Sequence, residues 1–490
     1  MSLFGGIELV DRPDPENIRK LDLLQIPVIS QMQRYGIRLD MDRVASLSDR
    51  LGRRMADLRA DIVNEIPPDK LDSFVDFPEE DEENDEPIES KFDFSVDSSE
   101  QVGKLLFDLM GVHLDSDVQV KRTRGGKIST GKKTLEQFKR EFPIVRLILE
   151  YREYAKLKGT YIDAMPRRAR FHPKGPNCPV CGRRHWTDER RVHSTITTTR
   201  CASGRIASKA PNLANIPART SLGREIRECF ISSEGYVIAQ RDWSQIELRL
   251  LADLSGDPTM MKIYRDDGDI HIATAMGTFN ITNPKLIDKL THRAPAKNVN
   301  FAVAYRITGT GLLDLMAVSY AAANQPLPEW MTEEWCDEFI EKWYGLYPLV
   351  RKYLNAEEEK IRRYGMAWTR CGRVRRVPEA RSYLGYVQEA GVRQGSNHAI
   401  QGFNADLAKL AMGAMHERLE QLREYYVEAY PLMHIYDEFL VETTEDHGET
   451  IEIALGDIMD SVLRDMSSGV TLCKVPIKSD GKLMKRWIKE

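Results

Sequence analysis

The chain predicts an α+β fold in which helices surround an antiparallel sheet, and three separated stretches carry that expectation. Gly235-Tyr236-Val237-Ile238-Ala239-Gln240 is a β-type apolar run with Asp242 just past its end, after which Ile246, Leu250 and Leu251 recur at helical spacing. Leu432 to Tyr436 and Phe439 to Thr443 read as two strands of a hairpin, with Asp437-Glu438 in the tight turn between them. Arg293 to Tyr305 reads as a helix with Pro295 in its first turn, where proline is tolerated.

At 490 residues the chain is too long for one simple core, so two to four subdomains are expected. With 42% hydrophobic and 30% charged residues it reads as soluble and globular. There is no long apolar run to span a membrane and no secretory signal at Met1-Ser2-Leu3-Phe4-Gly5. Seven cysteines, an odd number and mostly scattered, suit a reducing cytoplasm, that of the host if the chain is viral. A net charge of −5 argues weakly against nucleic acid, but the distribution matters more than the sum. Acidic residues pile up from Asp76 to Glu89, and basic ones cluster at Lys121 to Arg124, Arg167 to Arg170 and Arg370 to Arg376. Each cluster alone reads as a solvated face; together with the motifs they read as a track along a duplex.

Leu21 to Ala60 reads as two helices around a turn at Tyr35 to Asp40, with Leu24, Val28 and Met32 at helical spacing. Pro67 to Phe94 breaks the pattern, and Pro78 to Pro87 within it reads as a mobile acidic loop. Ser98-Ser99-Glu100-Gln101 has helix-start chemistry, and Val102, Leu105, Leu106 and Leu109 continue an apolar face. Lys121 to Gly131, basic and glycine-containing, is suited to gripping phosphates. No internal repeat is present.

The chemistry lies in what the three stretches share. Asp242 and Asp437 each sit beside a strand. Arg293, Lys297, Phe301 and Tyr305 are four apart and drift only about 40° per step, so they form one helical stripe running cation, cation, ring, ring. A helix start also favours anions. A turn aspartate alone, or such a stripe alone, is more often plain surface and core. In combination, two carboxylates for metal ions and two cations for a triphosphate are what template-directed nucleotide transfer requires.

On these motifs the chain resembles the family A DNA polymerases, the family of bacterial DNA polymerase I and the T-odd phage replicases, from about Leu21 to the C-terminus. The resemblance implies a right-hand polymerase fold with an antiparallel-sheet palm, helical fingers and a helical thumb. It divides the chain into an N-terminal tail (1–20), a thumb (21–170, with an acidic insertion at 67–93), a Cys/His insertion (171–192), a first palm segment (193–255), fingers (256–395) and a second palm segment (396–490). It implies addition of dNTPs to the 3′-hydroxyl of a primer–template DNA, with two Mg²⁺ ions about 4 Å apart.

Asp242 and Asp437 would bridge the ions, with Glu438 in support. Arg293 and Lys297 would hold the triphosphate, Lys297 also serving as general acid, and His271 would touch the phosphates. Phe301 would stack near the incoming base and sugar, Tyr305 near the templating base, with Gln245 among the dNTP contacts. Glu247 resembles the sugar gate that crowds a 2′-hydroxyl; related single-subunit RNA polymerases have a small residue there. Ser203-Gly204-Arg205 and Pro211-Asn212 match a stretch lining the primer terminus, so Arg205 and Asn212 would contact the duplex. Arg393, Asn397 and Gln401 match a helix that reads the minor groove.

The chain departs from the family at Trp243 for tyrosine, Ala214 for glutamine, Arg306 for the glycine after Tyr305, and Tyr436 for the histidine before the second aspartate. Trp243 would tighten or reshape the gate, and Tyr436 would alter the primer-terminus contact. Nothing before Leu21 has room for a proofreading nuclease, so proofreading would come from a separate exonuclease or replisome partner. A phage or plasmid replicase is the first expectation; a repair or lesion-bypass polymerase is the alternative. A catalytically silent DNA-binding subunit is the alternative of another class, and retention of Asp242, Asp437, Lys297 and Arg293 counts against it.

Cys178-Pro179-Val180-Cys181-Gly182 is not expected from the family. It suits one half of a tetrahedral Zn²⁺ site, with His185 and His172 as the other ligands and His193 in competition. A plain reduced cysteine pair and a redox pair are the other readings.

Overall fold

The computed structural model describes residues 2–76, 91–92, 94–114, 120–123, 125–139, 141–218, 220–323, 325–465 and 468–488; the acidic run Pro78 to Pro87 and Arg124 lie outside them. One four-stranded antiparallel sheet joins β1 (Ile37–Leu39), β2 (Ala169–His172), β3 (Glu189–Val192) and β4 (Phe230–Ile231) in the order β4-β1-β3-β2. The other joins β5 (Tyr236–Trp243), β6 (Ala429–Ile435), β7 (Glu438–Thr444) and β8 (Ser479–Met484) in the order β6-β7-β5-β8.

The second sheet is covered on both faces, which is why its inner strands read as continuous apolar runs rather than alternating ones. Successive side chains point to opposite faces. Ala239, Phe439 and Val441 enter one core, while Ile238, Leu440 and Ile435 enter another. Two boundaries differ from expectation. β5 runs on to Trp243, so Asp242 lies within the strand, where it pairs with both neighbours. The hairpin turn is Tyr436-Asp437, and Glu438 is already the first residue of β7, opposite Ile435.

The helices that matter for the site are α1 (Pro15–Leu24), α2 (Ile26–Tyr35), α3 (Met41–Asn64), α4 (Pro143–Leu157), α5 (Ser221–Arg227), α6 (Ile246–Ser255), α7 (Ile270–Phe279), α8 (Ala294–Ala302), α9 (His398–Glu424) and α10 (Gly448–Asp460). Asp40 caps α3 by accepting from the Arg43 amide, and the expected turn before it holds the short strand β1. α3 serves two cores: Val44, Leu47 and Leu51 lie with β7, whereas Leu58 and Ile62 lie with Val145 and Ile148 of α4. α10 packs on β5 and β8, and α2 on β6.

α9 is buried along most of its length despite its charged residues, because those charges are paired. The Arg373 guanidinium and the Thr369 hydroxyl donate to Asp406, and Lys409 Nζ donates to Asp22 of α1 at 2.7 Å. Residues 2–20 are therefore no tail. Leu3 and Ile7 are fully buried in the α9 core, and Asn17 Nδ2 donates to the Cys371 carbonyl at 2.8 Å. Arg393, Asn397 and Gln401 do not share one helix: a helix ends at Ser396, Asn397 is the joint, and Gln401 lies on α9.

α5 sits tightly on the segment before it. A Cβ at Gly223 would fall 2.0 Å from the Pro217 carbonyl oxygen, whereas one at Gly159 would meet nothing within 4 Å. Gly223→Ala is expected to lower unfolding stability in urea by about 1–3 kcal/mol. Gly159→Ala should stay within about 0.5 kcal/mol of the parent in the same titration.

Candidate active site

The register of β5 against β7 puts Asp242 directly opposite Glu438, and β8 puts Asp480 on its other side. The Trp243 amide donates to the Asp437 carbonyl at 3.1 Å, tying the hairpin turn to the end of β5. Tyr436 completes that turn with φ 57°, a left-handed backbone uncommon for a bulky side chain. Asn404 Nδ2 of α9 donates to Asp437 Oδ1 at 2.8 Å. Burial pushes the Asp437 carboxyl up to about 6 against the pull of that hydrogen bond, helped by the negative charges of Glu247 and Asp242. Glu438 is buried and held by Gln240 Nε2 at 2.6 Å and the Trp487 indole N–H at 2.9 Å, with Arg227 3.8 Å away.

Asp242, Asp437 and Glu438 open into a cleft of about 740 Å³. Arg205, Gln245, Glu247, Phe301, Tyr305 and Tyr436 line it with them. Gln245 takes φ 55° just before α6 and accepts from the Tyr264 hydroxyl at 3.2 Å. Glu247, in the first turn of α6, is ion-paired with Arg205; burial raises its carboxyl above the usual range. The Arg205 guanidinium also lies over the Tyr436 ring at 5.5 Å, and the Tyr436 hydroxyl donates to Asn215 Oδ1 at 3.0 Å. Trp243 is also among the cleft-lining residues, but its side chain is buried: its indole N–H reaches the Met459 carbonyl at 3.0 Å and its ring packs on Phe439.

Lys297 and Phe301 of the stripe lie on α8, with Pro295 in its first turn as expected, while Arg293 ends the turn before it and Tyr305 a 3₁₀ turn, Val303–Tyr305, after it. A π-helical turn, Lys289–Arg293, precedes α8, and Asp288 caps its amides. The helix N-terminus at Arg293 is therefore not an open anion site, and Pro295 follows a wide turn that tolerates its missing N–H. Arg293 is paired with Asp269 at 2.9 Å; although burial opposes it, this pairing holds Asp269 below the usual carboxylate range. Lys297 is exposed on the same stripe. His271 packs on Phe301 with ring centroids 5.3 Å apart, and burial drives its pKa down to about 4, so it is neutral. Asn300 Nδ2 donates to His271 Nδ1 at 2.9 Å, which leaves the proton on Nε2.

Tyr305 receives a hydrogen bond from Gln401 Nε2 at 2.8 Å. Arg306 takes the left-handed φ of 53° that glycine would favour and is pinned by Glu358 at 2.7 Å and by Asn355. Asn212 lies outside the cleft lining, against the Ser208 hydroxyl at 3.0 Å, and Arg393 is exposed at the end of its helix. Asn404, Asn215 and Arg227 belong to the site without having been expected there. Asn404 is within reach of sequence reasoning, three residues beyond Gln401 on the same helix; Arg227 carries no local signal.

The Cys/His insertion also assembles. His172, Cys178, Cys181 and His185 are all buried, with ligand atoms within 4.8 Å of one another. Cys181 Sγ is 3.1 Å from His185 Nε2, and Cys178 Sγ is 3.5 Å from His172 Nδ1. His193 stands behind His172, Nε2 to Nε2 at 3.0 Å, rather than competing with it. Burial drives His172 down to about 3 and the Cys181 thiol up to about 11.

The family model for DNA polymerase family A matches residues 78–489, and the chain belongs to that family. It is 33% identical over 435 residues to the thermostable DNA polymerase I of Thermus filiformis, an overlap of 89% of this chain and 44% of the relative. It is 35% identical over 395 residues to the thermostable DNA polymerase I of Thermus thermophilus, covering 81% and 42%. To the DNA polymerase I of Chloroflexus aurantiacus it is 32% identical over 447 residues, covering 91% and 41%. The chain thus spans under half the length of these relatives. Its fold is similar to that of the POL domain of Pol1 from M. smegmatis, solved in complex with DNA primer-template and dNTP. The TM-score is 0.74 at 23% identity, covering 96% of this chain and 72% of that one. The right-hand polymerase fold expected from the sequence is the fold observed.

The raised Asp437 pKa has a consequence for stability. Between its ordinary value of 3.8 and about 6, the folded chain keeps a proton that the unfolded chain has lost. The group therefore subtracts stability as pH rises through that window, and the full cost stands above it. In chelator-treated protein, Asp437→Asn is expected to raise unfolding stability by about 1–3 kcal/mol at about pH 8 and to bring no gain at about pH 4. Urea titrations at the two pH values check this, and a variant no more stable than the parent at the higher pH contradicts it.

Proposed function

We propose that the chain is a DNA-directed DNA polymerase that transfers nucleotidyl groups from dNTPs to a primer 3′-hydroxyl. The observation that carries this reading is the convergence of Asp242 and Asp437 on one cleft that Glu247, Phe301 and Tyr305 also line. The family and the primer-template complex of the similar POL domain support DNA and dNTPs as its partners. The named relatives are bacterial, which gives a phage or plasmid setting no support.

The donor set fits a hard divalent cation. It is all carboxylate oxygen, and Asp437 is pushed up by burial and by negative neighbours, which a bound cation would reverse. Asp242 and Asp437 would hold Mg²⁺, which when bound activates the primer hydroxyl and neutralises the leaving pyrophosphate. The chain's own residues do the rest. Gln240 and Trp487 fix Glu438, and Asn404 orients Asp437, so the hairpin presents its carboxylates without reorganising.

Arg293 and Lys297 would grip the triphosphate, with Lys297 passing a proton to pyrophosphate, while neutral His271 donates from Nε2. Phe301 would form the wall for base and sugar, and Tyr305, steadied by Gln401, would face the template. Glu247 would meet the 2′ position. Arg205 and Tyr436 would flank the primer terminus, with Asn212, Asn397 and Arg393 further along the duplex. In this reading residues 256–395 act as fingers, 21–170 as thumb, and the sheet of β5 to β8 as palm, with residues 2–20 belonging to the α9 core. The cluster of His172, Cys178, Cys181 and His185 is read as a structural Zn²⁺ site from its thiolate and imidazole donors.

Asp242→Asn and Asp437→Asn should each cut primer extension by about a thousandfold or more, since each removes several kcal/mol of metal-mediated stabilisation. Primer–template binding should stay near the parent's. Extension assays beside binding titrations decide, and near-normal extension by either variant would sink the assignment. Glu247→Ala should raise ribonucleotide use relative to deoxyribonucleotide in single-turnover rates. An unchanged ratio would move the gate to Phe301, because Trp243 is turned into the core.

A further inference from the structure

The loop between β2 and β3 spans residues 173–188 and holds no helix or named strand. Gly175 and His185 pair within it as a single antiparallel bridge, their amides donating to each other's carbonyls at 3.0 and 2.9 Å. The loop is drawn around the His/Cys cluster, and hydrogen bonds behind the cluster settle which imidazole nitrogens face inward. His193 Nδ1 donates to the Gln33 carbonyl at 2.8 Å, so its Nε2 is an acceptor. His172 Nε2 donates to that acceptor at 3.0 Å, which leaves the His172 Nδ1 lone pair on the side of Cys178 Sγ. His185 Nδ1 lies 3.2 Å from Glu189 Oε2, a carboxylate that favours the proton on that nitrogen, which leaves the His185 Nε2 lone pair beside Cys181 Sγ. Both rings thus offer a lone pair to the same spot, each backed by the kind of outer partner that metal-ligating histidines use. Two thiolates would balance a divalent ion, so the filled cluster would be neutral and burial would not oppose it.

The same turn carries Arg183. The Gly182 amide donates to the Cys178 carbonyl at 2.7 Å and the Cys178 amide to the Arg183 carbonyl at 2.9 Å, so the turn presenting the two thiols also sets the Arg183 backbone. The Arg183 side chain is buried, ion-paired with Glu442 of β7, and sandwiched by Tyr430 at 4.0 Å and Tyr236 at 4.8 Å. Glu442 shares β7 with Glu438 and also accepts from the Ser233 amide at 2.6 Å and Arg191 at 3.0 Å. Tyr236 opens β5, the strand of Asp242, and Tyr430 lies on β6.

We propose that the cluster binds one structural Zn²⁺, the reading above on which this rests, and that the ion is a latch: it locks the turn that plugs Arg183 into β5, β6 and β7, clamping the carboxylate-bearing sheet from its far end. A buried guanidinium–carboxylate pair is stabilising only where its geometry is held, and the ion supplies that hold.

The test uses the full chain. Elemental analysis of purified protein should find about one zinc per chain, lost in the Cys178→Ser/Cys181→Ser variant, and Glu189→Gln should weaken zinc affinity about 10–100-fold in competition with a chromogenic chelator. Removing zinc should raise amide exchange about tenfold or more in residues 236–243 and 429–444 as well as in the loop. The half of α3 around Leu58 and Ile62, which belongs to a separate core, should stay protected. Arg183→Met should keep its zinc yet show the same exchange and slower primer extension. A protein that takes up no zinc overturns both the site and the latch. Zinc bound, with exchange confined to residues 173–188 and wild-type behaviour of Arg183→Met, overturns the latch alone. Exchange rising equally in every core makes the ion a general fold holder and also overturns it. A parent chain that extends no primer fails the polymerase reading instead, and the exchange data still judge the latch.

Discussion

Everything at the site depends on the antiparallel register of β5 against β7. Side chains alternate between faces, so a slip of one residue would exchange Asp242 for Arg241 or Trp243 opposite Glu438 and turn the site inside out. The register is enforced from both sides at once. Ile238 and Leu440 are committed to one core and Ala239, Phe439 and Val441 to the other, so no shifted pairing satisfies either. The Trp243-to-Asp437 backbone bond then fixes where the hairpin turn falls relative to Asp242. The carboxylates are held close by apolar packing rather than by attraction, which the raised Asp437 pKa reflects.

α9 supplies the polar half of the same design. Its Asp406 and Lys409 are consumed by Arg373, Thr369 and Asp22, which bind the N-terminal helix and the segment around Arg373 to the sheet's back. Just before them on the helix, Asn404 and Gln401 are spent on Asp437 and Tyr305. A single buried helix thereby links the scaffold's ion pairs to the orientation of the candidate catalytic carboxylate and the ring at the end of the α8 stripe.

Much of this was legible in the residues, and the gaps have physical causes. The apolar run before Asp242, the hairpin around Asp437 and the four-residue stripe through Lys297 are local patterns, and family resemblance joined them. The ends of the elements were less legible. Nothing local says that β5 continues through Arg241 and Asp242; pairing with β7 and β8 decides it. β1 reads as a turn because three residues form a strand only when β3 and β4 flank them. The N-terminal segment looked like a tail because its partner, α9, lies almost four hundred residues away. The π-helical turn before the stripe's helix is not legible either, because the Asp288 side chain that caps it lies ahead of the first cation. The Cys178-x-x-Cys181 pair showed half of a metal site; only the fold brought both histidines, with His193 behind one of them.

Arg306 has a consequence of its own. A glycine after Tyr305 would act as a free swivel, with many backbone conformations open to it. Arginine at φ 53° accepts a strain of about 1 kcal/mol and reaches across to Glu358 and Asn355 on the helix Pro348–Tyr364. The pivot therefore carries a tether. A backbone rotation at this pivot must either drag that neighbouring helix along or break a salt link, so the segment after Tyr305 is geared to the helix Pro348–Tyr364.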